Sequence, residues 1–279
     1  MLLGKVFKNI NQKYKSIKFK EIRFNSKECK SNDIFFAISG NNSNGNDYIN
    51  DAIKNGAKII VSNLKFEGFT KNKILFIHCK DLRKLLAEVA SNFYLKKPKN
   101  IIAVTGTNGK TSIANFYYQI LTLNNKRAAA IGTLGILSKK LNLKTNNTTI
   151  DPINIQKVLK KLKELNVNNV ILEASSHGLK QKRLNGINFN TALFTNLSRD
   201  HLDYHKTFKN YLNSKLILFN KLLKNRGNII FEDKIVQTKQ LNKISKKRKL
   251  KKYSLGAEKS FISIINIQKV NNKKKVDFS

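Results

Sequence analysis

The segment with the clearest chemistry is "TGTNGKT", residues 105–111, which lies between an apolar run and a helix-like run. Phosphate binding needs free backbone N–H groups, a helix N-terminus and a cation. Gly106 and Gly109 can adopt the positive φ angles that bring backbone close to an anion, and Lys110 can reach the terminal phosphates of a nucleotide. The hydroxyl of Thr111 is placed to bind Mg²⁺. The segment is therefore predicted to be a phosphate-binding loop.

The loop departs from the common pattern G-x-x-x-x-G-K-[ST], because Val104 stands where the first glycine is expected. The alternative is an ordinary glycine-containing turn with a chance lysine. Strand, two glycines, lysine, threonine and helix all coincide, and this coincidence favours phosphate binding. The residues predicted to hold a nucleotide phosphate are Gly106, Thr107, Asn108, Gly109, Lys110 and Thr111.

A carboxylate ends the apolar run "NVILE", where Glu173 would be costly to bury unless it is paired or binds a metal ion. In an ATP site it is a candidate Mg²⁺ ligand. An exposed glutamate at the end of a strand is an equally good interpretation of the local sequence. The neighbouring "SSHG" suggests a serine hydrolase, but the chain has no G-x-S-x-G motif, so this class ranks low.

The segment "RDHLDYH" places His201 and His205 four residues apart, as in the zinc motif H-E-x-x-H. Leu202 replaces the glutamate that a zinc protease needs, so a catalytic zinc ion is not expected. Asp200 and Asp203 beside His201 fit a site for Mg²⁺ and phosphate better, with at most one histidine among oxygen ligands.

Strand-like apolar runs alternate with helix-like segments, which predicts an α/β fold. We expect a small N-terminal α/β domain at residues 1–97 and a doubly wound, mostly parallel-sheet ATP-binding domain at residues 98–279. The boundary follows the predicted helix "DLRKLLAEVASNFYL", which Asp81 caps and after which Pro98 breaks the pattern. In such sheets a ligand lies beyond the carboxyl ends of the strands, where the polar segments fall.

The net charge of +37 comes from 54 Lys and Arg residues against 17 Asp and Glu residues. A nucleic-acid-binding NTPase is one interpretation, and it predicts ATPase activity that DNA or RNA stimulates. The lysines are spread along the whole chain, with dense clusters only in "SKKRKLKK" (245–252) and "NNKKK" (271–275). No recognition module is evident, so we expect no specific nucleic acid partner, only non-specific attraction to polyanions at low salt.

The two cysteines, Cys29 and Cys79, have no metal-ligand spacing, which favours a reducing compartment. The N-terminus is too short an apolar stretch for a signal peptide, and no apolar run approaches the length of a transmembrane helix. We expect a soluble, cytoplasmic protein that is monomeric and not inserted in a membrane.

Four segments together resemble the Mur ligases, and within them the E-type branch: "TGTNGKT", "NTT" (147–149), "EASSHGLKQKR" (173–183) and "TNLSRDHLDYH" (195–205). The resemblance implies an ATP- and Mg²⁺-dependent ligase of peptidoglycan precursor synthesis. Such enzymes transfer the γ-phosphoryl group of ATP to the side-chain carboxylate of D-Glu in UDP-MurNAc-L-Ala-D-Glu. The amino group of a diamino acid, meso-diaminopimelate or L-lysine, then attacks the acyl phosphate.

The resemblance also assigns roles to residues. It implies Lys110, His201 and Lys215 as catalytic residues. It implies Thr111 as a ligand of Mg²⁺, Glu173 and His201 as ligands of a second metal ion, and Lys215, in its carbamylated form, as a further metal ligand. It implies an ATP site formed by Gly106, Thr107, Asn108, Gly109, Lys110, Thr111 and Ser112. It implies a site for UDP-MurNAc-dipeptide formed by Phe24, Ser26, Asn41, Asn42, Ser43, Asn147, Thr148, Thr149, Ser175, Gln181 and Arg183.

Three features depart from the family's pattern. Its usual Asp-Ser-Arg reads Asn25-Ser26-Lys27 here, and Phe231 stands where the family usually has Asn. A third domain with an Asp-Asn-Pro-Arg motif is not found before Ser279, so we expect either a fragment of a longer protein or a truncated copy. In both cases we expect the chain to bind ATP and UDP-MurNAc-dipeptide but not to complete ligation alone. The alternatives are an F-type Mur ligase, a folylpolyglutamate synthase and a non-catalytic binding protein.

Overall fold

The computed structural model describes residues 1–40, 43–256, 261–262, 264–270 and 273–278. Contacts divide the chain into two compact units. The N-terminal unit comprises Met1–Lys96, Asp151–Lys160 and Lys182–Gly186, and the second unit comprises Lys97–Ile150, Lys161–Gln181 and Ile187–Ser279. The domain boundary expected between residues 97 and 98 stays a prediction. The contacts also group two later segments, Asp151–Lys160 and Lys182–Gly186, with the N-terminal residues.

The N-terminal unit is built on a five-stranded sheet with the order β1-β2-β3-β5-β4, parallel except for the β4–β5 pair. Its strands are β1 (Ile22–Arg23), β2 (Ile34–Phe36), β3 (Ile59–Ser62), β4 (Gly68–Phe69) and β5 (Leu75–His78), and its helices are α1 (Leu3–Val6), α2 (Ile49–Lys54) and α3 (Leu82–Phe93). The central strands β2 and β3 are buried along their whole length, as parallel strands covered on both faces should be.

Helix α3 confirms the helical period predicted from the sequence. Asp81 accepts a hydrogen bond of 3.2 Å from the backbone N–H of Lys84, which satisfies one of the free donors at the helix N-terminus. Leu82, Leu86 and Val89 lie on the buried face of the helix and join the core of the N-terminal unit.

The second unit contains a seven-stranded sheet with the order β12-β11-β10-β6-β9-β7-β8. All neighbours are parallel except the β7–β8 hairpin, which confirms the predicted doubly wound, mostly parallel sheet. The elements are β6 (Asn100–Thr105), α4 (Lys110–Leu123), β7 (Ala128–Gly132), β8 (Gly135–Leu137), β9 (Asn169–Glu173), α6 (Ser176–Lys180), β10 (Phe189–Phe194), α7 (Leu202–His205), α8 (Phe208–Ile217), β11 (Leu223–Glu232), α9 (Thr238–Arg248) and β12 (Lys251–Leu255). A separate antiparallel pair, β13 (Ile264–Val270) and β14 (Lys273–Phe278), follows.

Helix α5 (Pro152–Glu164) begins at the predicted proline, with the carboxylate of Asp151 accepting from the N–H groups of Ile153 and Asn154. Helix α8 continues into a π-helical turn at Leu218–Leu222. No helix in the described part of the chain is long and apolar enough to span a membrane.

The first basic cluster of the sequence, residues 245–252, forms the end of α9 and the start of β12. The guanidinium group of Arg248 donates to the carbonyl oxygens of Phe219 and Leu223, and these hydrogen bonds stabilise the fold. In the second cluster, Asn271 and Asn272 lie outside the described residues.

Strand register explains why distant polar segments meet. Val104 lies beside Glu173 in the β6–β9 pair, and Thr105 lies beside Phe194 in the β6–β10 pair. Because these strands are parallel and in register, the chain leaves all three at the same edge of the sheet. The loop after β6 and the turns after β9 and β10 therefore lie together there.

Candidate nucleotide-binding site

The predicted phosphate loop is held in place by the turn that follows β10. The backbone N–H of Thr107 donates to the carbonyl of Asn196 at 2.9 Å, and the N–H of Asn108 donates to the Asn196 side-chain oxygen at 2.9 Å. The hydroxyl of Thr195 donates to the carbonyl of Asn108 at 2.7 Å. These bonds fix the loop's conformation without using the N–H groups at the start of α4.

Two glycines shape the loop as the sequence predicted. Gly109 precedes α4 in the left-handed region at φ 82°, and the helix makes no side-chain capping hydrogen bond there. A side chain on Gly106 (φ 151°) would place its Cβ 1.8 Å from the Thr195 hydroxyl oxygen. The first N–H groups of a helix have no acceptor within the helix, so those of Lys110, Thr111 and Ser112 remain available to an anion.

The Lys110 side chain folds back over the loop. Its Nζ atom donates to the carbonyl oxygens of Gly106 at 3.0 Å and Thr107 at 2.7 Å. Burial lowers the pKa of Lys110, while the carboxylates of Glu173 and Asp200 act in the opposite direction. An amine that is partly desolvated and held only by neutral carbonyls interacts strongly with an incoming anion.

Glu173 is buried, with only 2% of its surface exposed, and its carboxylate is fully engaged. It accepts hydrogen bonds from the Thr111 hydroxyl at 2.9 Å, from the Thr133 N–H at 2.8 Å and from the Thr133 hydroxyl at 3.3 Å. The alternative interpretation of Glu173, an exposed glutamate at the end of a strand, is therefore wrong. The structure brings together two of the four predicted metal ligands, Thr111 and Glu173.

Three predicted substrate residues lie next to Glu173 along two segments of the second unit. Thr149 donates through its hydroxyl to the Glu173 carbonyl at 2.7 Å and accepts from the Ser175 N–H at 3.0 Å. The hydroxyl oxygens of Thr148 and Thr133 lie 3.0 Å apart. Ser175 caps α6 by accepting from the Gly178 N–H at 3.1 Å, and Asn147 lies in the same loop as Thr148.

His201 occupies the residue before α7 in a left-handed conformation at φ 52°. Its ring packs at 4.9 Å from the ring of His177, and its Nε2 atom lies 3.4 Å from a carboxylate oxygen of Asp200. His205 lies on the buried side of the same turn. The amide group of Gln181, another predicted substrate residue, donates to the Tyr204 hydroxyl at 3.2 Å.

Lys215 is the most unusual lysine of the site, because only 1% of its surface is exposed. Its Nζ atom donates to the carbonyl of Gly106 at 2.7 Å and lies 4.5 Å from the centre of the Tyr211 ring. Burial, reinforced by the positive charge of Lys110, lowers the pKa of Lys215 to about 7, against a weaker opposite effect of Asp200. Its amine is therefore partly neutral near neutral pH.

The remaining predicted substrate residues belong to the N-terminal unit. Phe24 is exposed just after β1, Ser26 is buried in a short 3-10 turn, and Ser43 is exposed. Arg183 is half-buried in the segment Lys182–Gly186 of the same unit. Asn41 and Asn42 lie outside the described residues.

The four predicted metal ligands do not form one cluster of acidic and histidine side chains. Among the described residues, no group of three or more His, Cys, Asp or Glu side chains is arranged to hold a metal ion. Within that same part of the chain, no hydrogen bond or ion pair joins Glu173 to His201. Of the four predicted metal ligands, the structure brings together Thr111 and Glu173, which both offer oxygen atoms of the kind that Mg²⁺ prefers.

Comparison with known proteins decides the family. The pattern described as "Mur ligase middle domain" matches residues 104–279, and that described as "Mur ligase family, catalytic domain" matches residues 18–94. The chain belongs to the Mur ligase family. The resemblance seen in the sequence motifs is thereby confirmed, and the phosphate loop and Glu173 both lie within the matched middle domain.

This Mur ligase is 37% identical over 276 residues to a UDP-N-acetylmuramoyl-L-alanyl-D-glutamate–2,6-diaminopimelate ligase of Rickettsia typhi, covering 97% of this chain and 55% of that protein. A solved structure of a ligase with the same name superposes with a TM-score of 0.81 at 28% identity, covering 97% of this chain and 55% of that one. A MurF ligase from Thermotoga maritima in complex with ADP shares the fold at a TM-score of 0.58 and 20% identity, covering 93% of this chain and 55% of that one. The chain spans about half the length of the curated relatives it matches.

Several residues of this Mur ligase site were not predicted from its sequence. Thr133 holds the Glu173 carboxylate, Asn196 holds the loop, and Tyr211 contacts both Lys215 and Thr107. Thr133 follows the β7 glycine in a turn that carries no known motif. Tyr211 precedes Lys215 by four residues, so helical periodicity was the one sequence signal that could have found it.

Proposed function

We propose that this chain binds ATP at the loop 106–112 and carries the nucleotide-binding part of an E-type Mur ligase. The reaction adds a diamino acid, meso-diaminopimelate or L-lysine, to the D-Glu of UDP-MurNAc-L-Ala-D-Glu through an acyl phosphate. The observation that carries the proposal is the hydrogen bond between Thr111, in the first turn of α4, and the buried carboxylate of Glu173. The names of the similar ligases support the choice of substrate.

The reaction requires positive charge at the phosphate loop. A carboxylate is a poor nucleophile toward a polyanionic triphosphate because like charges repel, and the site must offset that repulsion. Lys110, the free N–H groups of the first turn of α4 and the positive end of its dipole supply this compensation. In this proposal Lys110 leaves the carbonyls of Gly106 and Thr107 for the phosphates.

The residues present fit a Mg²⁺ ion. Thr111 and Glu173 offer hard oxygen ligands, and the Thr111 hydroxyl can turn its hydrogen away from Glu173. Thr111 would hold one ion with Glu173 beside it, and Glu173 and His201 are the proposed ligands of a second ion, with carbamylated Lys215 as a further proposed metal ligand. A bound Mg²⁺ would supply charge neutralisation for the phosphates.

Lys215 is suited to carbamylation by its environment. The neutral amine nitrogen attacks the carbon of CO₂, an N–C bond forms as one C=O π pair moves onto oxygen, and the nitrogen then loses one proton to solvent. The product carries a negative charge in place of a positive one, which turns Lys215 from a repulsive neighbour of Lys110 into an oxygen ligand. Its lowered pKa makes the reactive neutral amine available near neutral pH.

The UDP-MurNAc-dipeptide is proposed to contact the residues implied by the family resemblance. These residues are Phe24, Ser26, Asn41, Asn42, Ser43, Asn147, Thr148, Thr149, Ser175, Gln181 and Arg183. The hydrogen bonds that join Thr148, Thr149 and Ser175 to the surroundings of Glu173 support the middle-domain part of this set. A cytoplasmic, monomeric protein remains our expectation.

The proposal is tested by nucleotide binding to the 279-residue chain in calorimetry. Lys110→Ala should abolish measurable binding of ATP and leave binding of UDP-MurNAc-dipeptide intact. Lys126→Ala, an exposed lysine just beyond the other end of α4, is the matched control and should bind ATP as the parent does. Equal ATP affinity of Lys110→Ala and the parent chain would refute the loop assignment.

A further inference from the structure

Tyr211 is a buried aromatic residue on α8 that the proposed function does not use. None of its surface is exposed. It lies four residues before Lys215, so the two side chains project from the same face of the helix, one turn apart. That face is directed at the phosphate loop, as the contacts of both side chains show.

The two residues contact consecutive residues of the loop. The Lys215 amine donates to the carbonyl of Gly106 at 2.7 Å, and the hydroxyl oxygen of Tyr211 lies 3.1 Å from the hydroxyl oxygen of Thr107. The Tyr211 ring also lies 4.5 Å from the Lys215 Nζ atom, within the range of a cation–π contact. One helix therefore holds the first half of the loop through two side chains that also hold each other.

Thr107 makes more hydrogen bonds than any other residue of the loop in the described part of the chain. Its N–H donates to the Asn196 carbonyl at 2.9 Å, and its hydroxyl oxygen accepts from the Ser198 N–H at 3.0 Å. The Tyr211 hydroxyl is the side-chain partner that fixes the Thr107 hydroxyl from the α8 side. Loop N–H groups bind an anion well only when their directions are set before binding, because ordering them on binding costs affinity.

We propose that Tyr211 is a positioning residue of the nucleotide site, which sets the direction of the loop through Thr107 and holds the Lys215 amine beside Gly106. The inference rests on the proposed function, because it assumes that the loop binds nucleotide phosphates. Tyr211 acts through Thr107 and touches no phosphate itself. If Tyr211 only filled space, removing its hydroxyl group would not change the affinity for the nucleotide.

The experiment is a double-mutant cycle read out as ADP affinity in calorimetry on the 279-residue chain. Tyr211→Phe removes only the hydroxyl group, and Thr107→Val removes the partner hydroxyl at nearly constant volume. Tyr211→Phe should weaken ADP binding about tenfold, the size expected for one lost hydrogen bond in the bound state. Thr107→Val should weaken it at least as much, because this variant also loses the hydrogen bond from the Ser198 N–H. The double variant should bind ADP as Thr107→Val does, because Tyr211→Phe then removes nothing further.

Tyr94→Phe is the matched control. It removes a buried tyrosine hydroxyl that donates to Glu21 at 2.6 Å, in the N-terminal unit. It should lower thermal stability to a similar extent and leave ADP affinity unchanged. ADP affinity of Tyr211→Phe equal to that of the parent, or a double variant weakened about tenfold more than Thr107→Val, would overturn the inference.

The two proposals fail in different ways. If Lys110→Ala binds ADP as the parent chain does, the loop assignment fails, and the inference about Tyr211 fails with it. If Lys110→Ala loses ADP while Tyr211→Phe retains the parent affinity, the loop assignment stands and only the role of Tyr211 is refuted.

Discussion

Thr111 and Glu173 are 62 residues apart in the chain, and the hydroxyl of the first donates a hydrogen bond of 2.9 Å to the carboxylate of the second. The pairing depends on the parallel register of β6 and β9, which places Glu173 at the strand end beside the loop. In the described part of the chain, the buried Glu173 carboxylate accepts from two hydroxyl groups and one backbone N–H. That arrangement is well suited to receive a divalent ion.

Glu173→Gln should make ADP binding insensitive to magnesium. In the parent chain, chelation of Mg²⁺ with EDTA should weaken ADP binding at least about tenfold, because the phosphates then lose the charge neutralisation that the ion supplies. The glutamine amide can still bond both threonine hydroxyls, so the fold should be retained. Calorimetry with and without Mg²⁺ measures the difference.

Glu232→Gln serves as the control for that experiment, since Glu232 is an exposed carboxylate at the end of another strand of the same sheet. It should keep the magnesium dependence of the parent chain. A Glu173→Gln variant that responds to EDTA as strongly as Glu232→Gln would show that Glu173 is no metal ligand.

Carbamylation of Lys215 should be visible with ¹³C-labelled bicarbonate by NMR. With a pKa of about 7, about 90% of the Lys215 amine is neutral at pH 8, against less than about 1% for an ordinary lysine. One carbamate resonance is expected at pH 8, and its intensity should fall as the pH drops below 7. The resonance should be missing from Lys215→Gln, and its persistence in that variant would assign it to another lysine.

Gly106→Ala should destabilise the fold far more than an alanine substitution at a glycine where backbone strain is the main cost. At Gly256 (φ 96°) an added Cβ lies 3.6 Å from the nearest described side chain, Glu232, so alanine there should cost mainly the left-handed strain of about 1 to 2 kcal/mol. At Gly106 the Cβ would also collide with the Thr195 hydroxyl, and a loss above about 3 kcal/mol is expected. Urea unfolding of the two variants measures both values, and equal losses would contradict the steric explanation.

His205 should make the fold sensitive to acid. Burial lowers the pKa of His205 to about 4, with smaller contributions from the charges of His177, Lys180, His201 and Lys215. Between the unfolded pKa of about 6.5 and the folded value the unfolded chain binds more protons, so stability from this residue is lost as the pH falls through that window. The loss amounts to about 2 to 3 kcal/mol.

His205→Gln should lack this part of the acid sensitivity. Urea unfolding at pH 7.5 and pH 4.5 compares the variant with the parent chain, and the difference in free energy of unfolding between the two pH values should be smaller in the variant. An equal pH dependence in both chains would show that His205 does not resist protonation in the folded state.

Much of the fold could be predicted because its signals are local. The helical period of α3, its cap at Asp81 and the proline that begins α5 each depend on a few neighbouring residues. The alternation of apolar runs and helices was enough to predict a parallel, doubly wound sheet, since parallel strands need helical crossovers. The phosphate loop was predictable for the same reason, because its glycines, lysine and threonine are contiguous.

The sequence by itself determined the elements, the loop and the family to which its motifs point. Only the tertiary structure decided that Glu173 is buried against Thr111 and Thr133, and that Lys215, one lysine among many, is buried with a lowered pKa. The physical reason is distance along the chain. The Lys215 amine meets a carbonyl 109 residues away, and neither strand register nor the packing of α8 is encoded in any short pattern.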